Sequence, residues 1–420
     1  MWTKVLVSFC ITLAVYGQTM NDSTKLIQDL LNGYDKLVRP VIDQSKPVSL
    51  NISMDLVAIQ EFDEVLEKFS VVAIIYITWM DPRMMWNPLN YNGLYTTTIP
   101  VSDLWTPKLV VGNSFDTIKL IGGDWMTVRY YANGISVYSP GDVFQTTCSV
   151  DVTFYPFDTQ SCKVMLIPMG SLPNEITIIS SSDVVLKSFF SENGEWEVLS
   201  TSVVTDETDI FPFIQFNIKI KRRPTFFLIN VILPIIFMGF LNILVFLLPA
   251  ESGERISFAI TVLLAIAVFL TLVGDNLPKT SRPMSLICYF LLVNLSLSTF
   301  ICITTILNLR FYHKPESKPV PRLLVAITRK LNCMNTPARD AIQPYIPAAI
   351  NEISGIEKEK MSFKLEKESN QTSNEELVHL VSWKDISRMV DKVMCTLSFL
   401  WLFISSTTFI VMISNNQEIK

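Results

Sequence analysis

The sequence predicts an α+β membrane protein, an extracellular β-sandwich followed by a four-helix transmembrane bundle. Three observations predict it. Residues from about 18 to 223 contain stretches that alternate apolar and polar side chains between turn signals, the period of strands. Four apolar runs follow, at about 225–248, 256–273, 284–310 and 394–414, each near or above the length that crosses a bilayer. The composition, 49% hydrophobic and 17% charged, is too apolar for an ordinary soluble chain and too mixed for one immersed in lipid throughout.

Residues 1–17 read as a secretory signal. Lys4 supplies a positive start, Val5 to Val15 an apolar core and Gly17 a small residue at a cleavage point. An uncleaved anchor is the alternative. With the signal removed, residues 18–223 lie outside as the sandwich and 224–310 hold the first three membrane helices. Residues 311–393 form a cytoplasmic loop with an amphipathic helix near its end, and 394–420 carry the fourth helix and an extracellular C-terminus. Lys314, Lys318, Arg322, Arg329 and Lys330 open that loop, as the positive-inside tendency expects. Lys221, Arg222 and Arg223, just outside the first span, oppose the tendency and need another reason to exist.

Within the outer segment, Val48, Leu50, Ile52, Met54 and Leu56 alternate with Ser49, Asn51, Ser53 and Asp55, a half-buried strand. Asn51 opens a glycosylation sequon on its polar face, and Asn21 opens a second. Asn92-Gly93, Gly122-Gly123, Asn133-Gly134 and Pro140-Gly141 mark turns. Two of the seven cysteines, Cys148 and Cys162, fall in this segment, and an even pair in an oxidising compartment reads as a disulfide. Closing such a loop stabilises by about 3 kcal/mol. Ile214, Phe216, Ile218 and Ile220 form a last alternating strand that runs almost directly into the first span.

The second apolar run is the most informative. Its hydroxyl residues Ser257, Thr261 and Thr271 share one helical stripe with Leu264, Val268 and Asp275, at steps of four and three. Chance places three hydroxyls on such a stripe about once in eighty arrangements. A polar stripe with Glu254 at one mouth and Asp275 at the other suits a helix that faces water inside a membrane. A seam packed against a neighbouring helix is the alternative, but a seam has no need of acids at its ends.

Net charge is −5 and no basic patch is interleaved with exposed aromatics, which argues against a nucleic-acid partner. Both histidines, His313 and His379, fall in the cytoplasmic portion, so the outer segment lacks the usual general base and metal ligand. With no phosphate loop, nucleophile elbow or metal-spaced cysteine cluster, neither an enzyme nor a cofactor is expected.

Several segments together resemble one family. CSVDVTFYPFDTQSC, from Cys148 to Cys162, resembles the signature loop of the Cys-loop receptors, the pentameric ligand-gated ion channels. The resemblance continues through WTPKLVVGN from Trp105, GEW at Gly194–Trp196, KRRP before the first span, LNILVFLLPAESGERISFAITVLL, and NLPKTS from Asn276. It looks closest to the nicotinic and serotonin type-3 branch. It implies five subunits around one axis, homomeric or heteromeric, in a plasma membrane, with a postsynaptic placement as a further expectation. An extracellular small molecule would open a pore for monovalent cations, with calcium a further candidate and membrane lipid as surroundings.

The resemblance also assigns residues. Glu254 would form an acidic ring at the inner mouth, Glu251 a second ring below it and Asp275 a ring at the outer mouth, favouring cations. Arg255 is the counter-argument, and in the family this residue usually points away from the pore. Leu264 and Val268 would gate by dewetting. Asp63 and Glu64 at a membrane-facing turn, Pro156, Phe157 and Asp158 in the signature loop, Arg222, and Pro278 with Lys279 would couple the outer domain to the pore. The family proline at Pro156 is typically cis. The ligand positions match poorly: Gly112, Met169 and Ile74 stand where aromatics are typical, and Lys108 replaces an aspartate. Phe211 alone remains aromatic, while Trp105 and Tyr138 are nearby candidates. A cation cage for acetylcholine or serotonin is thereby weakened. A chain that needs a partner subunit to bind a ligand is the alternative function.

Overall fold

The computed structural model describes residues 17–207, 211–275, 284–315, 319–332 and 382–419. The signal, Pro278, Lys279, Cys333 and His379 lie outside the described residues. Two compact units divide at Pro224–Thr225.

The first unit opens with a helix, α1 (Met20–Leu31). Strand periodicity does not announce it. Its signal is a capping box: the Asp22 N–H donates to the Thr19 hydroxyl and the Thr19 N–H to the Asp22 carboxylate, satisfying donors that the first turn leaves free. Leu26 and Leu30, one turn apart, bury its inner face.

Eleven strands follow: β1 (Val48–Asp63), β2 (Lys68–Met85), β3 (Thr96–Pro100), β4 (Leu109–Val111), β5 (Thr127–Tyr131), β6 (Asn133–Tyr138), β7 (Gly141–Thr147), β8 (Thr159–Pro168), β9 (Ile176–Ile179), β10 (Trp196–Glu207) and β11 (Pro212–Arg222). One sheet has the order β3-β5-β6-β2-β1-β9, and the other β10-β11-β8-β4. β2 is long enough to hold two partners on one edge. Its first half pairs with β7, from Lys68 to Ile74, and its second half with β6, from Ile77.

The alternating residues form the core between the sheets. Val48, Leu50, Ile52, Met54 and Leu56 are buried, as are Ile214, Phe216, Ile218 and Ile220. Burying each such side chain contributes roughly 1.5–3 kcal/mol. Phe62 of β1 meets Trp196 of β10 edge-on, with ring centroids 5.0 Å apart. Asp55 breaks the expected pattern. It is buried on the face predicted to be polar and exposed, because the segment before Ser188 lies over it and the Ser188 N–H donates to its carboxylate. Just beyond, a register shift between Leu56 and Ala58 interrupts the pleat.

The second unit contains α2 (Thr225–Leu247), α3 (Arg255–Asp275), α4 (Leu286–Tyr312), α5 (Arg322–Asn332) and α6 (Trp383–Ile419). Four of these are long and apolar enough to cross a membrane. In α2 a π-helical turn at Leu228–Ile232 precedes Pro234, which has no N–H to give to an α-helical ladder. Gly239 of α2 admits Leu402 of α6, since a Cβ there would lie 2.7 Å from a leucine methyl. Phe290 of α4 stacks on Phe409 of α6 at 4.7 Å. The last helix runs unbroken from Trp383, crossing position 394 without a cap, so the amphipathic segment and the fourth span are one rod.

Candidate functional site

In α3 the stripe predicted from spacing is the exposed face of the helix. Ser257, Thr261, Leu264, Val268, Thr271 and Asp275 are all exposed, with Leu264 at 63% and Val268 at 49%. The opposite face packs: Arg255, Ala259, Val262, Ile266 and Val273 are buried. The Thr261 hydroxyl donates to the Ser257 carbonyl at 2.8 Å and Thr271 to the Val268 carbonyl at 2.7 Å. Each hydroxyl thus satisfies its donor on its own helix and leaves oxygen lone pairs outward, a surface that water wets. Glu254 is exposed at the start of the helix. Glu251 is not in line with the stripe, because its carboxylate accepts a hydrogen bond from the Tyr312 hydroxyl at the end of α4.

Arg255 follows Glu254 directly, yet it is fully buried. Its Nε donates to the Val245 carbonyl at 2.9 Å, and its two terminal nitrogens donate to the two oxygens of Asp391 on α6. Asn308 of α4 donates from Nδ2 to the same carboxylate at 2.7 Å and to the Ser387 carbonyl at 3.1 Å. The network joins α2, α3, α4 and α6. Sequence reading missed Asp391 and Asn308. Their signal was available: an acid just before the fourth apolar run, and an amide inside the third.

A second buried arginine organises the outer unit. The pair Cys148–Cys162 forms a disulfide with Cα atoms 5.2 Å apart, and the Tyr155–Pro156 peptide inside the loop is cis. Asp158, also in this loop, accepts from Arg222 Nε at 2.8 Å and from Gln160 at 2.6 Å. Arg222 also pairs with Glu64, in the β1–β2 turn. Its guanidinium lies over the rings of Trp196 at 4.3 Å and Tyr155 at 4.8 Å. Burial works against this cation, but the hydrogen bond and charge of Asp158, then Glu64, outweigh it and raise its pKa above the ordinary arginine value. The basic triplet before the first span therefore has a reason at Arg222, the end of β11. Asp63 stands apart from the cluster, its carboxylate accepting from the Leu66 N–H across the turn. Pro156 is buried and Phe157 half-buried.

The candidate ligand residues divide between the two sheets. The Gly112 N–H donates to the Met165 carbonyl and the Met169 N–H to the Lys108 carbonyl, which sets β4 beside the end of β8. β11 flanks β8 on the other side, with Ile214 opposite Leu166. Phe211 immediately precedes β11 and Met169 immediately follows β8, and a side chain on Gly112 would strike Met165. Ile74 lies on β2 of the other sheet, opposite Gly141. Tyr138 is buried at the end of β6, its hydroxyl 3.5 Å from the Ile121 carbonyl. Trp105 packs edge-on against Trp79 at 5.8 Å. A cavity of about 190 Å³ in this unit is lined by Ser114, Asp116, Lys119, Asp142 and Gln145 among others, and none of the candidate ligand residues lines it. Asn21 is exposed on α1, and the Asn51 side-chain oxygen accepts from the Ser181 N–H.

Comparison with known proteins accounts for this geometry. Residues 23–224 match the ligand binding domain of neurotransmitter-gated ion channels, and residues 231–390 match their transmembrane region. The neuronal acetylcholine receptor subunit beta-3 of Homo sapiens is 28% identical over 425 residues, covering 93% of this chain and 90% of its own. Subunit alpha-6 of Pan troglodytes is 29% identical over 73% of this chain and 63% of its own. Subunit non-alpha-2 of Carassius auratus is 30% identical over 70% and 64%. The chain belongs to the neurotransmitter-gated ion channel family, the Cys-loop receptors, whose members are pentameric ligand-gated channels.

Proposed function

We propose that this chain is a subunit of a cation-selective channel in the plasma membrane, with both termini outside and α3 lining the pore. One observation carries the reading: among the described residues the hydroxyl and acid stripe is the exposed face of α3, while the basic residue beside Glu254 is buried on the other face. Repeated around an axis, Glu254 and Asp275 make acidic rings that concentrate cations, and Leu264 makes an apolar ring that dewets when the pore is narrow. Small monovalent ions are the permeant species, with calcium a finer expectation.

The ligand is a small extracellular molecule. Phe211, Met169 and Lys108 offer one aromatic face, an adaptable thioether and a fixed positive charge, which is a poor cage for a quaternary amine. Acetylcholine and serotonin are weak ligands on this reading. The comparisons do not favour an accessory chain.

A current with Leu264 replaced by serine tests the pore. Leu264→Ser removes the apolar ring, so the channel opens at rest or at lower stimulus. Its reversal potential follows sodium when external sodium is replaced by a large organic cation. A reversal potential that follows chloride and ignores sodium overturns the reading.

A further inference from the structure

We propose that Asp391, far from the pore helix in sequence, is a positioning residue for ion selectivity. It rests on α3 being the pore lining. Arg255 is adjacent to Glu254, and a positive ring beside an acidic ring works against cation entry. What removes that opposition is the pairing described above. The guanidinium is fully buried, held on both terminal nitrogens by Asp391 and on Nε by Val245. Asp391 is held in turn by Asn308, which fixes its carboxylate against Arg255.

The electrostatic consequence is specific. A two-pronged arginine–carboxylate pair is neutral overall, and its field falls off faster than that of a single charge. Arg388 and Lys392, which flank Asp391 on α6, are exposed and add no compensating negative charge. Among the described residues, Asp391 is the acid that meets Arg255. Neutralising it leaves one buried positive charge per subunit directly behind the Glu254 ring. Burial makes that charge poorly screened by salt.

The test uses full-length channels carrying Leu264→Ser, which conduct without an identified agonist. With Asp391 intact, sodium selectivity or its absence judges the pore reading alone. Asp391→Asn added to this background should lower the sodium-to-chloride permeability ratio by about fivefold or more. Arg255→Gln together with Asp391→Asn should restore it, because no unpaired charge remains. Arg255→Gln alone should raise cation conductance, and it serves if Asp391→Asn does not reach the surface. A merely structural Asp391 changes the number of surface channels and leaves the reversal potential of each unchanged. Unchanged selectivity in Asp391→Asn, or unchanged conductance in Arg255→Gln, overturns the inference while sodium selectivity of the background leaves the pore reading standing. A silent Leu264→Ser background overturns both.

Discussion

The two units each bury an arginine, and they neutralise it differently. Arg222 in the sandwich meets two carboxylates, Asp158 and Glu64, and lies against two aromatic rings. Arg255 in the bundle meets one carboxylate, an assisting amide and a backbone carbonyl. The first cluster carries an excess negative charge, and the second is balanced. The partners of Arg222 come from the β1–β2 turn and the disulfide loop, segments that loops and turns connect. Those of Arg255 come from rods that cross a membrane. An overcompensated cluster keeps a second carboxylate for its arginine when one is lost. A balanced pair locked between helices has no spare partner, which suits a charge that must stay in place. In both, removing the arginine leaves an unpaired buried or half-buried carboxylate, the costly event.

The largest effect that breaks this comparison is Arg222→Ala. It strands Asp158, which is buried, and Glu64, and should cost about 3–5 kcal/mol. Thermal unfolding of the detergent-solubilised chain and its surface expression report it, and near-normal stability would show that water enters the cluster. Next is Cys148→Ser, which opens the loop that carries Asp158 and should cost about 3 kcal/mol. Surface expression should fall before conduction changes, and a normal expression level with altered conductance would contradict this order. The smallest is Glu64→Gln. Asp158 still pairs with Arg222, so stability should drop by only about 1 kcal/mol. A loss as large as that of Arg222→Ala would mean that Glu64, not Asp158, is the principal partner.

Much of the architecture was legible in the residues. Alternation from Val48 to Leu56 and from Ile214 to Ile220 identified core strands, because side-chain direction in a strand repeats every two residues and burial needs only that parity. The stripe from Ser257 to Asp275 was legible for the same reason at helical period. Asp55 was not, since a strand's parity says nothing of a later segment that lies over its polar face. α1 escaped because its evidence is a four-residue cap and not a long period.

By itself the sequence determined what local rules can carry: which segments are strands or spans, where the disulfide closes, and which residues share a face. Only the tertiary structure decided which of two adjacent charges, Glu254 or Arg255, is presented and which is hidden. Sequence neighbours on a helix differ in direction by about 100°. Which direction is inward depends on the carboxylate that waits there, and Asp391 is brought to Arg255 from 136 residues along the chain. The same holds for Arg222, whose acids lie 64 and 158 residues away. Charges pair through space, and the chain order records no distance between them until the helices and sheets have packed.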